Sequence, residues 1–105
     1  MGNDPLDENQ AAQFAGGILT LQEAVRELLT SSWDETQLQR VQEIVHALLQ
    51  AAKMDKYWES ESLLRALDSL LELPIAGEPN QRSAVGIKVA ELVSLLKRAP
   101  TSRSA

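Results

Sequence analysis

"LQRVQEIVHALLQAAK", residues 38–53, carries the pattern that decides the fold. Its apolar side chains recur at alternating spacings of three and four residues, which places them on one face of an α-helix. Ser32 and Glu35 have the three-residue separation of a capping box, so we predict that this helix begins at Trp33 and covers 33–53. The apolar stripe consists of Leu38, Val41, Val45, Leu48 and Ala52.

Three further segments show the same helical periodicity. Gly16 and Gly17 weaken the first of them, where they indicate a kink, a close helix crossing or a later start. Asp55 is the predicted N-cap of the third helix, and Pro79 suits the first turn of the fourth. The stripes are Phe14, Ile18, Leu21, Val25 and Leu28 in the first helix, Leu63, Leu67 and Leu70 with Leu64 and Leu71 beside them in the third, and Val85, Val89, Leu92 and Leu96 in the fourth.

These segments predict an all-α fold with helices at 11–31, 33–53, 56–73 and 79–98. Aromatic residues make up only 4% of the chain, and its other apolar residues are mostly Leu, Ala and Val, which favours helices packed on helices. Short links place consecutive helices side by side and head to tail, so we predict an antiparallel four-helix bundle in up-down-up-down order. We expect one helical-bundle domain over 11–100, preceded by a disordered acidic lead-in over 1–10 and followed by a loose tail over 101–105.

The charge and the cysteine content narrow the classes of function. The chain has 10 basic and 15 acidic residues, and a net charge of −5 disfavours binding to nucleic acid or to an anionic membrane surface. It has no cysteine, so disulfides and thiolate zinc sites are excluded. The N-terminal sequence lacks the pattern of a signal peptide, and no apolar run reaches membrane-spanning length. We therefore expect a cytoplasmic location.

His46 is the single histidine of the chain. At about 100° per residue, it falls roughly 120° from the centre of the apolar stripe, which lies near Ala52. Its neighbours on that side of the helix are Gln39, Gln42, Gln50 and Lys53. His46 is thus predicted to lie on the surface, either as a solvated side chain or as an exposed imidazole used for chemistry.

Two stretches around His46 carry a resemblance to a known family. "HALLQAAKM", residues 46–54, and "ALDSLLE", residues 66–72, resemble the histidine phosphotransfer domains of two-component signalling, in particular the N-terminal phosphotransfer domain of the chemotaxis kinase CheA. The active helix of that family reads H-x-L-K-G-[SA]-[SA], and a helix of A-L-E-x-L-L-[DE] type follows about twenty residues later. The matching residues are His46, Leu48, Ala51, Ala52, Met54, Ala66, Leu67, Asp68, Leu70 and Leu71.

The resemblance implies a non-catalytic signalling domain in which His46 is the phosphoacceptor. Its partner would be a response-regulator receiver or a histidine kinase domain, and the domain itself would need no cofactor. Leu49 stands where the family has lysine, and Gln50 stands where it has glycine. The partner-binding surface expected around the histidine consists of Gln42, His46, Leu49, Gln50 and Lys53.

A second class of function fits the same sequence. Ile44 and Leu49 flank the apolar stripe and widen it, as expected of a small adaptor, scaffold or secretion chaperone that binds a partner through an apolar helix face. An enzyme with its own active site is not expected. A metal site is not expected either, because the E-x-x-H spacing of Glu43 and His46 has no second copy.

Three large aromatic residues stand at the predicted helix starts. Trp33, Tyr57 and Trp58 would cap the ends of the core or serve as protein-binding anchors. Their positions alone do not favour one surface over another.

Overall fold

The computed structural model describes residues 5–31, 33–72 and 79–98. They form four α-helices and contain no β-strand. The predicted all-α four-helix bundle is confirmed. The helices are α1, Pro5–Thr30; α2, Glu35–Asp55; α3, Trp58–Glu72; and α4, Pro79–Arg98.

Helix α1 begins six residues before the predicted start at residue 11. Residues 5–10, which we expected in a disordered lead-in, are helical. Pro5 suits a first helical position because its missing N–H is not needed there. The predicted start overlooked this signal of a helix N-terminus. Residues 1–4 and the predicted tail over 101–105 lie outside the described residues.

Helix α2 begins at Glu35, two residues after the predicted start at Trp33. Asp34 is the N-cap, and its carboxylate accepts a hydrogen bond of 3.3 Å from the Gln37 backbone N–H. Trp33 has a left-handed backbone with φ of 65°, so it cannot form the first turn. Aspartate caps a helix as well as serine does, and the predicted cap, Ser32, lies outside the described residues.

The junction between α2 and α3 also differs from the prediction. Asp55, the predicted N-cap of α3, is the last residue of α2, and Lys56 ends that helix in the left-handed conformation. The backbone N–H of Tyr57 donates to the carbonyl oxygen of Ala52, which satisfies the last turn of α2. Helix α3 consequently begins at Trp58.

The core contains the predicted apolar stripes, except that the buried face of α3 is rotated relative to the prediction. All five predicted stripe residues of α1 and all five of α2 are buried. In α3 the buried face is Ser60, Leu64, Leu67 and Leu71, so the predicted central positions Leu63 and Leu70 are only partly buried at its edge. The pairs Leu63–Leu64 and Leu70–Leu71 satisfy two overlapping periodic patterns, and the packing selects the one that also contains Ser60. In α4, Val89, Leu92, Val93 and Leu96 are buried, whereas Val85 is partly buried.

The helices pack in a ring, in which α1 contacts α2 and α4, and α3 also contacts α2 and α4. Late residues of α1 pair with early residues of α2, as Glu27 does with Arg40, and Gly17 lies beside Leu48. A Cβ at Gly17 would lie 2.6 Å from Leu48 Cδ2, so this glycine marks a close helix crossing. The pairing of α1 with α2 is the one that the up-down order requires, while the full up-down-up-down order stays a prediction.

Aromatic side chains occupy one end of the α1–α2 pair and the junction with α4. Tyr57 is buried and its ring centroid lies 4.9 Å from that of Phe14. Trp33 is half-buried and packs beside Gly86 of α4. In these two positions the aromatic residues close the core, whereas nearly half of the surface of Trp58 is exposed. None of the helices described here is both long enough and apolar enough to cross a membrane.

Candidate functional site

His46 lies on the outer side of α2, as predicted. Its side chain is 61% exposed, while Val45 and Leu48 on either side of it are buried. The alternation follows from the helix period, because a residue opposite the stripe must point to solvent when the stripe forms the core. The histidine is therefore fixed to a rigid helix and remains open to a partner.

Asp68 of α3 is the direct partner of this histidine. His46 Nε2 lies 2.8 Å from Asp68 Oδ1, and the Asp68 side chain is 29% exposed. Asp68 directly follows the fully buried Leu67, so the packing of α3 against α2 determines where the carboxylate lies. The two residues are 22 positions apart in sequence and meet because their helices are neighbours.

This contact decides which ring nitrogen is available for chemistry. A carboxylate oxygen only accepts hydrogen bonds, so His46 Nε2 carries the hydrogen and donates it to Asp68. In the neutral imidazole the other nitrogen, Nδ1, then holds the free lone pair. A hydrogen bond to a carboxylate also restrains the ring orientation. The arrangement is an oriented imidazole with one nitrogen left for a nucleophilic step.

The predicted partner-binding residues divide into two groups. His46, Gln50 and Lys53 are exposed, and Lys53 forms no ion pair with any residue that the structure describes. Gln42 is half-buried, and Leu49 is half-buried against the core. All five residues lie along α2, and the exposed three form its accessible part.

Asp68 is the residue that sequence reasoning missed as a site residue. In the sequence, Asp68 is one of the residues in "ALDSLLE" that match the family pattern, and no role was predicted for it. A wheel of α3 places it about 40° from Leu64, at the edge of the buried face, where a side chain can reach a neighbouring helix. That position indicates an interhelical contact, but only the packing identifies the partner.

The apolar residues around the site are arranged differently from the adaptor interpretation. Ile44 and Leu49, expected to widen an exposed apolar face, pack partly buried against the core. The large apolar side chains exposed near this end of α2 are instead Met54, at 81%, and Trp58, at 46%. Exposed apolar surface here therefore lies at the junction of α2 and α3.

No metal site is found in the part of the chain that the structure describes. No group of three or more His, Asp or Glu side chains there could hold a metal ion. Glu43 is exposed, and within α3 Arg65 pairs with Glu61 at 3.0 Å.

Comparisons with protein-family models, with curated proteins and with solved structures find no match for this chain.

Proposed function

We propose that this chain is a non-catalytic signalling domain that docks a response-regulator receiver or a histidine kinase domain through α2, and that His46 accepts a phosphoryl group. The observation that carries the proposal is the exposed His46 with its Nε2 held 2.8 Å from Asp68 Oδ1. An acceptor domain of this kind needs an oriented and accessible imidazole on a rigid helix. The partner supplies the remaining catalytic groups.

The chemical step uses the free nitrogen of the ring. Nδ1 of neutral His46 attacks the phosphorus of an aspartyl phosphate on the receiver, the N–P bond forms, and the P–O bond to the aspartyl carboxylate breaks. The receiver leaves with a free carboxylate. The phosphorylated imidazole keeps its Nε2 hydrogen and gains a positive charge, which the Asp68 carboxylate 2.8 Å away stabilises. Transfer back to a receiver reverses these steps.

The docking surface follows from the exposed part of α2. Gln50 and Lys53 lie one and two turns beyond His46 and project from the same side of the helix. The ammonium group of Lys53 has no described ion-pair partner, so it is available to an anionic group on a receiver. Gln42 extends the surface by one turn in the other direction.

The test measures phosphorylation with and without a partner protein. Phosphoramidate, a small phosphoryl donor, and a panel of phosphorylated receivers are each incubated with the protein, and the acid-labile, base-stable label is located by mass spectrometry. We expect the label on His46, no label on His46→Gln, and labelling of Asp68→Asn that is about tenfold slower, because the ring loses its orienting carboxylate. Phosphorus NMR should assign the label to Nδ1.

Glu72→Gln is the matched control for Asp68→Asn. Glu72 is an exposed carboxylate one turn further along α3, so its loss removes the same charge without touching the ring. Equal labelling rates for wild type and Asp68→Asn would mean that the Asp68 carboxylate has no role at this site. If no receiver and no phosphoramidate labels His46 in the folded protein, the phosphotransfer proposal is wrong.

The alternative function is that of an adaptor without phosphoryl chemistry. The observation that favours it is the exposure of Met54 and Trp58 at the α2–α3 junction, since Met and Trp are enriched in protein interfaces. An adaptor would lose partner binding when Met54 is replaced by Gln and would keep it when His46 is replaced by Gln. The opposite result supports docking centred on the histidine.

A further inference from the structure

The turn between α2 and α3 carries two large apolar side chains that the bundle leaves exposed. Met54, in the last turn of α2, is 81% exposed, and Trp58, the first residue of α3, is 46% exposed. They stand four residues apart, on either side of the left-handed Lys56 and the buried Tyr57. Met and Trp are enriched at protein interfaces, so their joint exposure indicates a surface that binds protein. We call Lys53, Met54, Lys56 and Trp58 the junction patch.

The two lysines of the junction patch keep their charge for a partner. Lys53 and Lys56 are exposed, and neither forms an ion pair with any residue that the structure describes. Arg65 and Glu61 of α3 pair with each other at 3.0 Å, so their charges offset one another. A partner that brings carboxylates to this turn would therefore meet two available cations.

The carboxylates closest to the patch in sequence point to other sides of the helices. Asp55 follows His46 by nine residues on α2, and Glu59 precedes Asp68 by nine residues on α3. Nine residues make about two and a half turns, so each carboxylate lies on the opposite side of its helix from the His46–Asp68 contact. That contact joins the two helices, hence Asp55 points away from α3 and Glu59 points away from α2. The α2–α3 side of the turn is thus locally basic, although the chain has a net charge of −5.

We infer that the junction patch binds an acidic peptide segment that carries apolar side chains. Its carboxylates meet Lys53 and Lys56, and its apolar side chains cover Met54 and Trp58. The inference rests on the adaptor function and deepens it, because it names the chemistry of the partner. A basic segment would meet the two lysines with like charge. Nucleic acid and anionic membranes are poorer matches, since a net charge of −5 repels a dense array of phosphates.

The small size of the patch sets the expected strength. Two apolar anchors and two exposed cations form a contact below the size of a stable interface, so we expect a dissociation constant of about 10–100 µM. The thioether of Met54 is flexible and can adapt to different apolar side chains. Salt should weaken the binding, because exposed charges are screened.

The first test compares synthetic peptides that differ in charge or in apolar content. In one peptide Asp and Glu alternate with Leu and Phe, in a second Lys replaces the acidic residues, and in a third Ser replaces the apolar residues. Fluorescence anisotropy with the full chain should show binding of the first peptide and binding at least about tenfold weaker for the other two. Vesicles of phosphatidylglycerol and a single-stranded oligonucleotide should not bind.

An apolar variant with a matched control locates the site. Met54→Gln should weaken binding of the acidic peptide about tenfold, because it removes an exposed apolar anchor. Ile87→Gln makes a comparable change at a side chain that is 72% exposed on α4, across the bundle from α2, and should bind the peptide as wild type does. Both side chains are exposed, so thermal melts should show that both variants stay folded.

A double charge variant tests the two lysines in the same way. Lys53→Gln combined with Lys56→Gln should weaken binding of the acidic peptide about tenfold at low salt, and this loss should shrink as salt is added. Lys88→Gln combined with Arg26→Gln removes the same charge from exposed residues of α4 and α1. That control should bind the peptide as wild type does.

Failure of the inference differs from failure of the functions proposed above. Labelling of His46 needs no peptide, so phosphotransfer can fail while the acidic peptide binds. A partner that Met54→Gln releases but that binds through a basic or uncharged segment would leave an adaptor and overturn the inference. Equal peptide binding by wild type and Met54→Gln, equal binding of the acidic and basic peptides, or binding of vesicles or oligonucleotide in place of the peptide would also overturn it.

Discussion

The α2–α3 and α1–α4 sides of the bundle share one core but present different surfaces. On α2–α3, one short hydrogen bond joins His46 to Asp68, and the exposed residues around it are mainly polar. On α1–α4, a groove of about 360 Å³ lies between the two helices, and its walls include the apolar side chains of Val25, Leu29, Ala90 and Val93. A directed polar contact can orient one reactive group, whereas a mainly apolar groove offers packing surface without such a contact. The proposed chemistry therefore lies on the side formed by α2 and α3.

The largest expected effect comes from weakening the hydrophobic core that both sides share. Leu67 is fully buried in the core and directly precedes Asp68. Leu67→Ala should lower the free energy of unfolding by roughly 2–5 kcal/mol, because it removes buried apolar contacts and leaves a cavity. Urea denaturation followed by circular dichroism measures the loss.

Leu95→Ala is the control for this core prediction. Leu95 lies on α4 and is 41% exposed, so its truncation should lower the free energy of unfolding clearly less than Leu67→Ala does. An unchanged midpoint of urea denaturation for Leu67→Ala would contradict the core described here.

How far the sequence predicted this molecule depends on how local each feature is. The buried stripe of α2 was predicted residue by residue, since one long periodic pattern determines it. The buried face of α3 was predicted with a rotation, because two leucine pairs satisfy overlapping patterns and the burial of Ser60 depends on packing. The starts of α1 and α2 were wrong because Pro5 and Asp34 were overlooked as helix-start signals.

The candidate site was predictable only in part for the same reason. The exposure of His46 follows from its own helix and was predicted. Its contact with Asp68 depends on how α2 and α3 are rotated against each other, which no local pattern in either helix contains. The α1–α4 groove likewise results from the approach of two distant segments.

The second prediction sharpens the comparison by adding a cation to the α2–α3 side. Leu49 is half-buried one turn from His46, and a lysine there can keep its aliphatic stem on the core while its ammonium reaches solvent. Leu49→Lys should speed phosphorylation of His46 by up to roughly tenfold, since the cation offsets the charge of the incoming phosphoryl group. Initial rates of labelling measure the change.

Leu49→Met separates the effect of charge from that of packing. It keeps an apolar side chain of similar volume, so labelling should proceed at the wild-type rate. Equal rates for Leu49→Lys and Leu49→Met would mean that the absence of a lysine does not limit transfer at this site.

The smallest expected effect on stability comes from replacing one glutamine by glutamate on either side of the bundle, a change that separates the two sides by receiver binding. Gln50→Glu and Gln42→Glu each add a carboxylate one turn from His46, and Gln22→Glu adds one at the α1–α4 groove. All three should change the free energy of unfolding by less than about 0.5 kcal/mol, because none of these side chains is fully buried.

A phosphorylated receiver brings negative charge to His46, so the first two variants should bind it more weakly by repulsion, whereas Gln22→Glu should bind it as wild type does. Titration calorimetry with a receiver that labels His46, together with thermal melts, gives both quantities. Weaker binding by Gln22→Glu alone would move the docking surface to α1–α4, and equal binding by all three would place it on neither side.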